Sequence, residues 1–393
     1  MSRGLRYEPA RIRTRHDGNR RAAAGSMSGT VATTYRPADT ELSLQQLNAA
    51  GRRTYLALFF LEHLLGAERF SRLLGKAREA NRARMLEYLS DWPRNERRPV
   101  REVTFTSHQE FYRNHAPNWE PAVFRGAAKA WPAIRKWDLE FFAQQHDKTR
   151  AVVIDQDGLY SEAESSRYEM STVGNLVAAI MAGRKECLRF SALVDENPEL
   201  KNDLDMQWLA GFRSRFSVRG FPQFFMAPAS TYTPVHCALE SNAFVQVYGR
   251  KRWVLHSAMY QPLIDPPADR MPYFHTDFLP DRDSPRFPLG PYAPAFEVVL
   301  EPGDVMYVPP FVWHYVENLT TTIAVAYRFF SLRDALRSSW PLTIAKFLST
   351  RPTLFHSLVC PRRSLERRCR VHGCPFALPE RMDRGATLAG APH

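Results

Sequence analysis

The sequence predicts an α+β fold, with a sandwich or barrel of short strands between helical regions. Three observations carry this. From about Pro222 to Phe330, short runs rich in β-branched and aromatic residues alternate with Pro and Gly turns. From Leu42 to about Leu89 the apolar residues recur at helical spacing instead, at Leu44, Leu47, Tyr55, Leu58, Phe59, Leu65, Leu73 and Leu74. After Ser331, helical spacing returns at Leu332, Leu336, Leu342 and Phe347. Hydrophobic residues make up 44% of the 393, enough for a substantial core.

Taken in order, residues 1–40 are basic and poor in large apolar side chains, and are expected to stay disordered. Met27 opens "MSGTVATTYRPADTELSL", so Met1 and Met27 both stand as starts. Residues 41–95 form a helical region that Gly51, Gly66 and Gly75 should break into two or three helices, closed by Pro93 and "NERRP". Residues 96–330 form the main domain. In it "REVTFTSHQEFYRNH" reads as strand then helix, and "PAVFRGAAKAWPAIRKWDLEFFAQQH" as strand, turn and helix. "RAVVID" is a strand, and "STVGNLVAAIMAG" a helix with Ser171 or Thr172 at its N-cap. "AFVQVYGRKRWVLHS" has the signature of a hairpin turning at Gly249. "LEPGDVMYVPPFVWHYVENL" gives a Pro-Gly turn, an apolar strand, a proline-braced loop and His314, and "TTTIAVAYRFF" a further strand. Residues 331–360 should form C-terminal helices, and 361–393 a disordered tail.

No run of about 18 apolar residues exists, so no membrane span is expected. "TYLALFFLEHLLG" is too short and carries Glu62 and His63. The Arg-rich start lacks the apolar segment of a signal peptide, which points to a soluble cytoplasmic protein. The net charge of +12 sits largely in "RGLRYEPARIRTRHDGNRR" and "CPRRSLERRCR". No basic helix or aromatic-basic interleaving accompanies it, so nucleic acid is not the expected partner. Five cysteines, an odd number, do not suggest a disulfide framework. Cys360, Cys369, His372 and Cys374 offer a tetrahedral zinc set, but their spacing matches no pair of short knuckles, and unliganded cysteines are the expectation.

The chemistry concentrates in the all-β part. His236 enters one strand and His314 another; in a regular strand His236, Ala238 and Glu240 share a face. Lys251 follows the Gly249 turn and projects back into the same barrel. Imidazole suits iron, copper, nickel and zinc. A buried lysine needs an anion, which a small dicarboxylate would supply. Any one of these histidines alone reads best as a hydrogen-bonded core residue; their order and spacing together point to a site.

"FRGAAKAWPAIRKW", "TPVH", "SNAFVQVYGRKRWVL" and "EPGDVMYVPPFVWHYVENL" together resemble the Jumonji C, or cupin-like, branch of the Fe(II)- and 2-oxoglutarate-dependent oxygenases, and most nearly its asparaginyl, peptide and small-molecule hydroxylases. The resemblance runs from about Val100 to Phe330. It implies a double-stranded β-helix, the cupin or jelly-roll barrel. It implies that His236 and His314 ligate iron, that Lys251 and Thr233 hold the distal carboxylate of 2-oxoglutarate, and that Asn242 lies beside that co-substrate. It also implies a peptide or small-molecule substrate and a homodimer formed through the C-terminal helices.

The sequence departs from the family at the third ligand. The family's carboxylate lies two residues after the first histidine, where Ala238 stands, and Ala326 stands where many relatives have asparagine. Three readings follow. Chloride could fill the open position, as in the halogenases that share this barrel and carry Ala or Gly there. A hydroxylase could recruit Glu240, about 7 Å further along a regular strand, or Cys237 through a bulge. Or the metal site is lost and the barrel serves as a binding or scaffold protein.

Overall fold

The computed structural model describes residues 49–155, 168–218, 220–266 and 274–348. The basic N-terminal segment with Met27, and the Cys360, Cys369, His372 and Cys374 set, lie outside these residues.

Gly66 divides the helical region into α1 (Ala49–Leu65) and α2 (Ala67–Leu89). Its φ of 80° is a left-handed backbone that a Cβ disfavours. Gly51 and Gly75 were expected to break helices and instead lie inside them. An internal glycine costs only about 1 kcal/mol, and burial of Tyr55, Phe59, Phe70, Met85 and Leu89 outweighs it. Ion pairs Arg78–Glu62 and Arg82–Asp265 tie the two helices to each other and to the strand region.

Fifteen strands are formed among the described residues: β1 (Arg97–Pro99), β2 (Arg101–Glu102), β3 (Ala122–Phe124), β4 (Arg150–Asp155), β5 (Tyr168–Thr172), β6 (Glu186–Ser191), β7 (Phe221–Ala227), β8 (Tyr232–Cys237), β9 (Ser241–Tyr248), β10 (Lys251–His256), β11 (Phe274–His275), β12 (Ala295–Leu300), β13 (Val305–Val308), β14 (Trp313–Asn318) and β15 (Thr322–Phe329). One sheet runs β1-β12-β10-β14-β8-β11, the other β2-β3-β13-β9-β15-β7-β6-β4-β5. From β7 to β10 and from β12 to β15 the chain changes sheet at nearly every turn, giving the double-stranded β-helix.

This corrects the hairpin expected at Gly249. β9 bonds β13 and β15, whereas β10 bonds β12 and β14, so the turn is a corner between sheets. The corner needs glycine: φ is 70°, and a Cβ there would lie 1.9 Å from the Thr321 carbonyl oxygen. Gln246 Nε2 braces it, donating to the carbonyls of Tyr248 (2.7 Å) and Gly249 (3.0 Å).

Strand alternation builds two cores. Ala243, Val245 and Val247 of β9 and Ile323, Val325, Tyr327 and Phe329 of β15 face the flanking helices. Their alternates Phe244, Ala324 and Ala326 face the opposite sheet, against Trp253, Leu255, Val298, Leu300 and Val316. That second layer is the barrel interior.

The "FRGAAKAWPAIRKW" segment braces this scaffold from outside. Trp137 Nε1 and Lys136 Nζ donate to the Asp203 carboxylate at 2.9 and 2.6 Å. Asp304, in the turn before β13, accepts from Arg125 (2.7 Å), the Gly126 N–H (2.8 Å) and the Glu301 N–H (3.0 Å). The helix expected after the tryptophan is two helices, Pro132–Lys136 and Leu139–Gln145, because Asp138 caps the second by accepting from the Phe141 N–H at 2.7 Å. Thr172 caps α3 (Val173–Met181) in the same way. At the C-terminal side, α4 (Leu332–Leu348) is kinked at Ser339, with Leu336 and Trp340 exposed. No helix of the described residues is long and apolar enough to cross a membrane.

Asp304→Ala should strand the Gly126 and Glu301 N–H groups and remove one of the partners of Arg125, which keeps Glu102 and the Val299 carbonyl. The expected loss is about 2 kcal/mol or more, read as a lower urea midpoint with an unchanged denaturant slope.

Candidate metal and anion site

β14 lies between β8 and β10, and the register of these three strands assembles the site. His314 sits directly opposite His236 on one side and Leu255 on the other. The two imidazole centroids are 4.1 Å apart, with ring planes at 59°. Each ring is oriented by its own strand: His236 Nδ1 lies 2.9 Å from the Pro234 carbonyl oxygen and His314 Nδ1 2.8 Å from that of Val312. A carbonyl only accepts, so each Nδ1 carries the hydrogen and each Nε2 keeps its lone pair while the ring is neutral. Burial keeps them neutral. It pushes His314 down to about 4 and His236 well below the ordinary histidine range, helped by the Arg328 charge.

Thr233 reaches the same face through a bulge. His236 opposes His314 and Thr233 opposes Val316, so β8 spends three steps where β14 spends two. The extra residue falls at Pro234–Val235, where a proline is tolerated. Residues an odd number apart therefore both face inward, which strict alternation forbids.

Lys251 opposes Asn318 and shares its face with Trp253 and Leu255, so it lies in the barrel interior. It is only 5% exposed, with Nζ 5.1 Å from the Phe244 ring centroid. Burial, and next the Arg189 charge, push it down to about 7. Asn242 opposes Arg328 and alternates with Phe244, so it too faces inward; its buried Oδ1 has no partner.

β8 ends at Cys237, so the regular strand assumed for residues 236–240 stops short. Ala238 is buried just beyond it, and its carbonyl accepts from the Phe311 N–H at 2.7 Å, tying it to the loop that precedes His314. Glu240 is buried in the bend between β8 and β9. The Cys237 thiol is pushed well up by burial, with Lys346 of α4 opposing the shift. Among the described residues no three of His, Cys, Asp and Glu gather to hold a metal.

Two residues escaped the sequence reading. His275 of β11 opposes His236, making a row of three histidines across β11, β8 and β14, though the three do not converge. Its strand is two residues long, too short for any periodic signal. Arg328 lies on the inner face of β15 and is 5% exposed. Alternation from Ala324 and Ala326 could have found it.

Two neutral imidazoles supply two of the three protein donors of a two-histidine, one-carboxylate face. The third is missing. Besides burial, Arg189 and then Cys187 act on Lys251, His314 and then Arg328 and Arg189 on His236, and Arg328 on His314, with no carboxylate of the described residues named among them. These residues do not fit a three-ligand iron centre. They do fit an anion.

The cupin-like domain family matches residues 108–334. "Lysine-specific demethylase 8" of Xenopus tropicalis is 26% identical over 226 residues, covering 56% of this chain and 50% of that protein. "Bifunctional peptidase and (3S)-lysyl hydroxylase JMJD7" of Homo sapiens is 23% identical over 273 residues, covering 58% of this chain and 85% of that protein. "Lysine-specific demethylase JMJ30" of Arabidopsis thaliana is 25% identical over 228 residues, covering 55% and 51%. The chain thus spans about half the length of the Xenopus and Arabidopsis relatives.

Lys251 sets a pH dependence. Its folded value of about 7 lies below its ordinary value of about 10.4. Between these values the unfolded chain binds the extra proton, so the stability of the ligand-free protein rises with pH. Urea midpoints should climb from about pH 7 to 9, and Lys251→Met should flatten that rise.

Proposed function

The chain belongs to the cupin-like domain family, and from that membership and the charge balance of its interior we propose an oxygenase-type barrel that binds a small dicarboxylate of the 2-oxoglutarate class without a three-ligand iron centre. The observation that carries this reading is Lys251, a buried cation on the inner face with no carboxylate acting on it. A buried charge without a counter-charge is costly, and a carboxylate ligand relieves it. Thr233 shares the inner face and would donate to the same carboxylate, with Asn242 beside the ligand. The chain acts as a binding member of a family whose relatives are named as demethylases and hydroxylases. Its macromolecular partner in this reading is a peptide, with a second copy docking through α4, where Leu332, Leu336, Trp340 and Ile344 are exposed.

A second reading is favoured by the two free Nε2 lone pairs. In it His236 and His314 hold Fe(II), and an external anion completes the centre. With 2-oxoglutarate bound, such a centre supports hydroxylation, or halogenation where chloride fills the position beside Ala238.

Anaerobic titration with Fe(II) and 2-oxoglutarate, with and without chloride and followed by absorption and calorimetry, separates the readings. The first expects 2-oxoglutarate to bind equally well in a chelator, without a metal-to-ligand charge-transfer band, and expects Lys251→Ala to abolish binding. A strong band from the native protein sinks it. Ala238→Asp should then restore metal binding without turnover; in a halogenase it would instead end chlorination, and in a hydroxylase relying on Glu240 the damaging change would be Glu240→Gln.

A further inference from the structure

The interior carries a second cation that the Lys251 subsite does not use. Arg328 follows Ala324 and Ala326 on the inner face of β15, opposite Asn242 of β9. It is 5% exposed, and its Nε is buried with no hydrogen-bond partner. Two amide oxygens on the same face also lack partners: Asn242 Oδ1 and Gln223 Oε1. Gln223 of β7 opposes Ala326, one inward step from Arg328. Each amide can turn its NH₂ toward an incoming acceptor.

The neighbouring backbone is bent to serve this corner. Leu188 opposes Met226 while Ser191 opposes Phe224, so β6 carries one extra residue against β7. Within that bulge Phe190 holds a left-handed φ of 53°, a conformation an aromatic residue adopts only under constraint. The result places the Phe190 ring 5.4 Å from the Arg328 guanidinium carbon. Its neighbour Arg189 donates to the Tyr232 carbonyl and acts on Lys251. A ring face offsets only part of the cost of burying a guanidinium. The remaining cost identifies a site kept for an anion.

We propose that Arg328, with Asn242 and Gln223, forms a second carboxylate subsite that takes the far end of the dicarboxylate held at Lys251, beside the histidine pair. This rests on the reading of Lys251 given above. The guanidinium supplies next to His236 and His314 the positive charge that a metal would otherwise bring. The pocket therefore selects two-headed acids over one-headed acids, and needs no metal to do so.

The test is calorimetric titration of the full chain in a chelating buffer with succinate, 2-oxoglutarate and the monocarboxylate butyrate. Native protein should bind both dicarboxylates about tenfold or more tighter than butyrate, the size expected for one charge-assisted contact. Arg328→Met should erase that preference while raising the urea midpoint of the ligand-free protein, because a buried unpaired charge is removed. Arg328→Lys should keep part of the preference, and it carries the test if the Met variant does not fold. Succinate binding unchanged in Arg328→Met but lost in Lys251→Ala overturns the second subsite and leaves the Lys251 reading standing. No dicarboxylate binding by native protein overturns both.

Discussion

The candidate site depends on one constraint, the register of β14 between β8 and β10. That register sets His314 across from His236 and, through the intervening pairs, Lys251 at the Asn318 end of the same face. A slip of β14 by one residue would turn His314 to the opposite face and take it away from His236. The register is therefore held from several directions. Asn318 Nδ2 donates to Thr231 Oγ1 at 2.8 Å, Thr322 Oγ1 donates back to Asn318 Oδ1 at 2.8 Å, and the Asn318 N–H donates to the Thr231 carbonyl.

Electrostatics and packing pull in different directions within this frame. The inner layer of Trp253, Leu255, Val298, Leu300 and Val316 would be more stable with apolar neighbours throughout. Instead it surrounds Lys251 and Arg328, both nearly inaccessible to water. Folding energy from the outer core, with its edge-to-face and tilted Phe111, Phe124, Phe212 and Trp208 rings, has to carry that cost. Charge retained inside a well-packed barrel is the feature on which the proposed binding role rests.

Much of this was legible in the sequence, because it rested on local pattern. The β-rich region, α1 and α2, and a cap at Ser171 or Thr172 follow from spacing that a strand or helix imposes on its own residues. What could not be read was non-local. "AFVQVYGRKRWVLHS" has the local signature of a hairpin, but whether two strands bond each other or separate partners is decided by β12 to β15, far along the chain. The bulges at Pro234–Val235 and Arg189–Phe190 are invisible for the same reason: a bulge exists only relative to a partner strand. His275 was missed because two residues have no period. Arg328 lies outside every motif of the resemblance, although "AVAYRFF" places it in phase with Ala324 and Ala326.

The hydrogen bond from the Phe311 N–H to the Ala238 carbonyl has a wider consequence. It fixes the third-ligand position through the main chain, so the loop before His314 is anchored whatever side chain residue 238 carries. Phe311 holds a left-handed φ of 59° there, strain that this bond helps to keep in place. The scaffold is thereby insulated from the chemistry. Each imidazole is likewise oriented by a carbonyl of its own strand and not by residue 238, so an exchange of methyl for carboxylate at this one codon leaves all three of these hydrogen bonds in place.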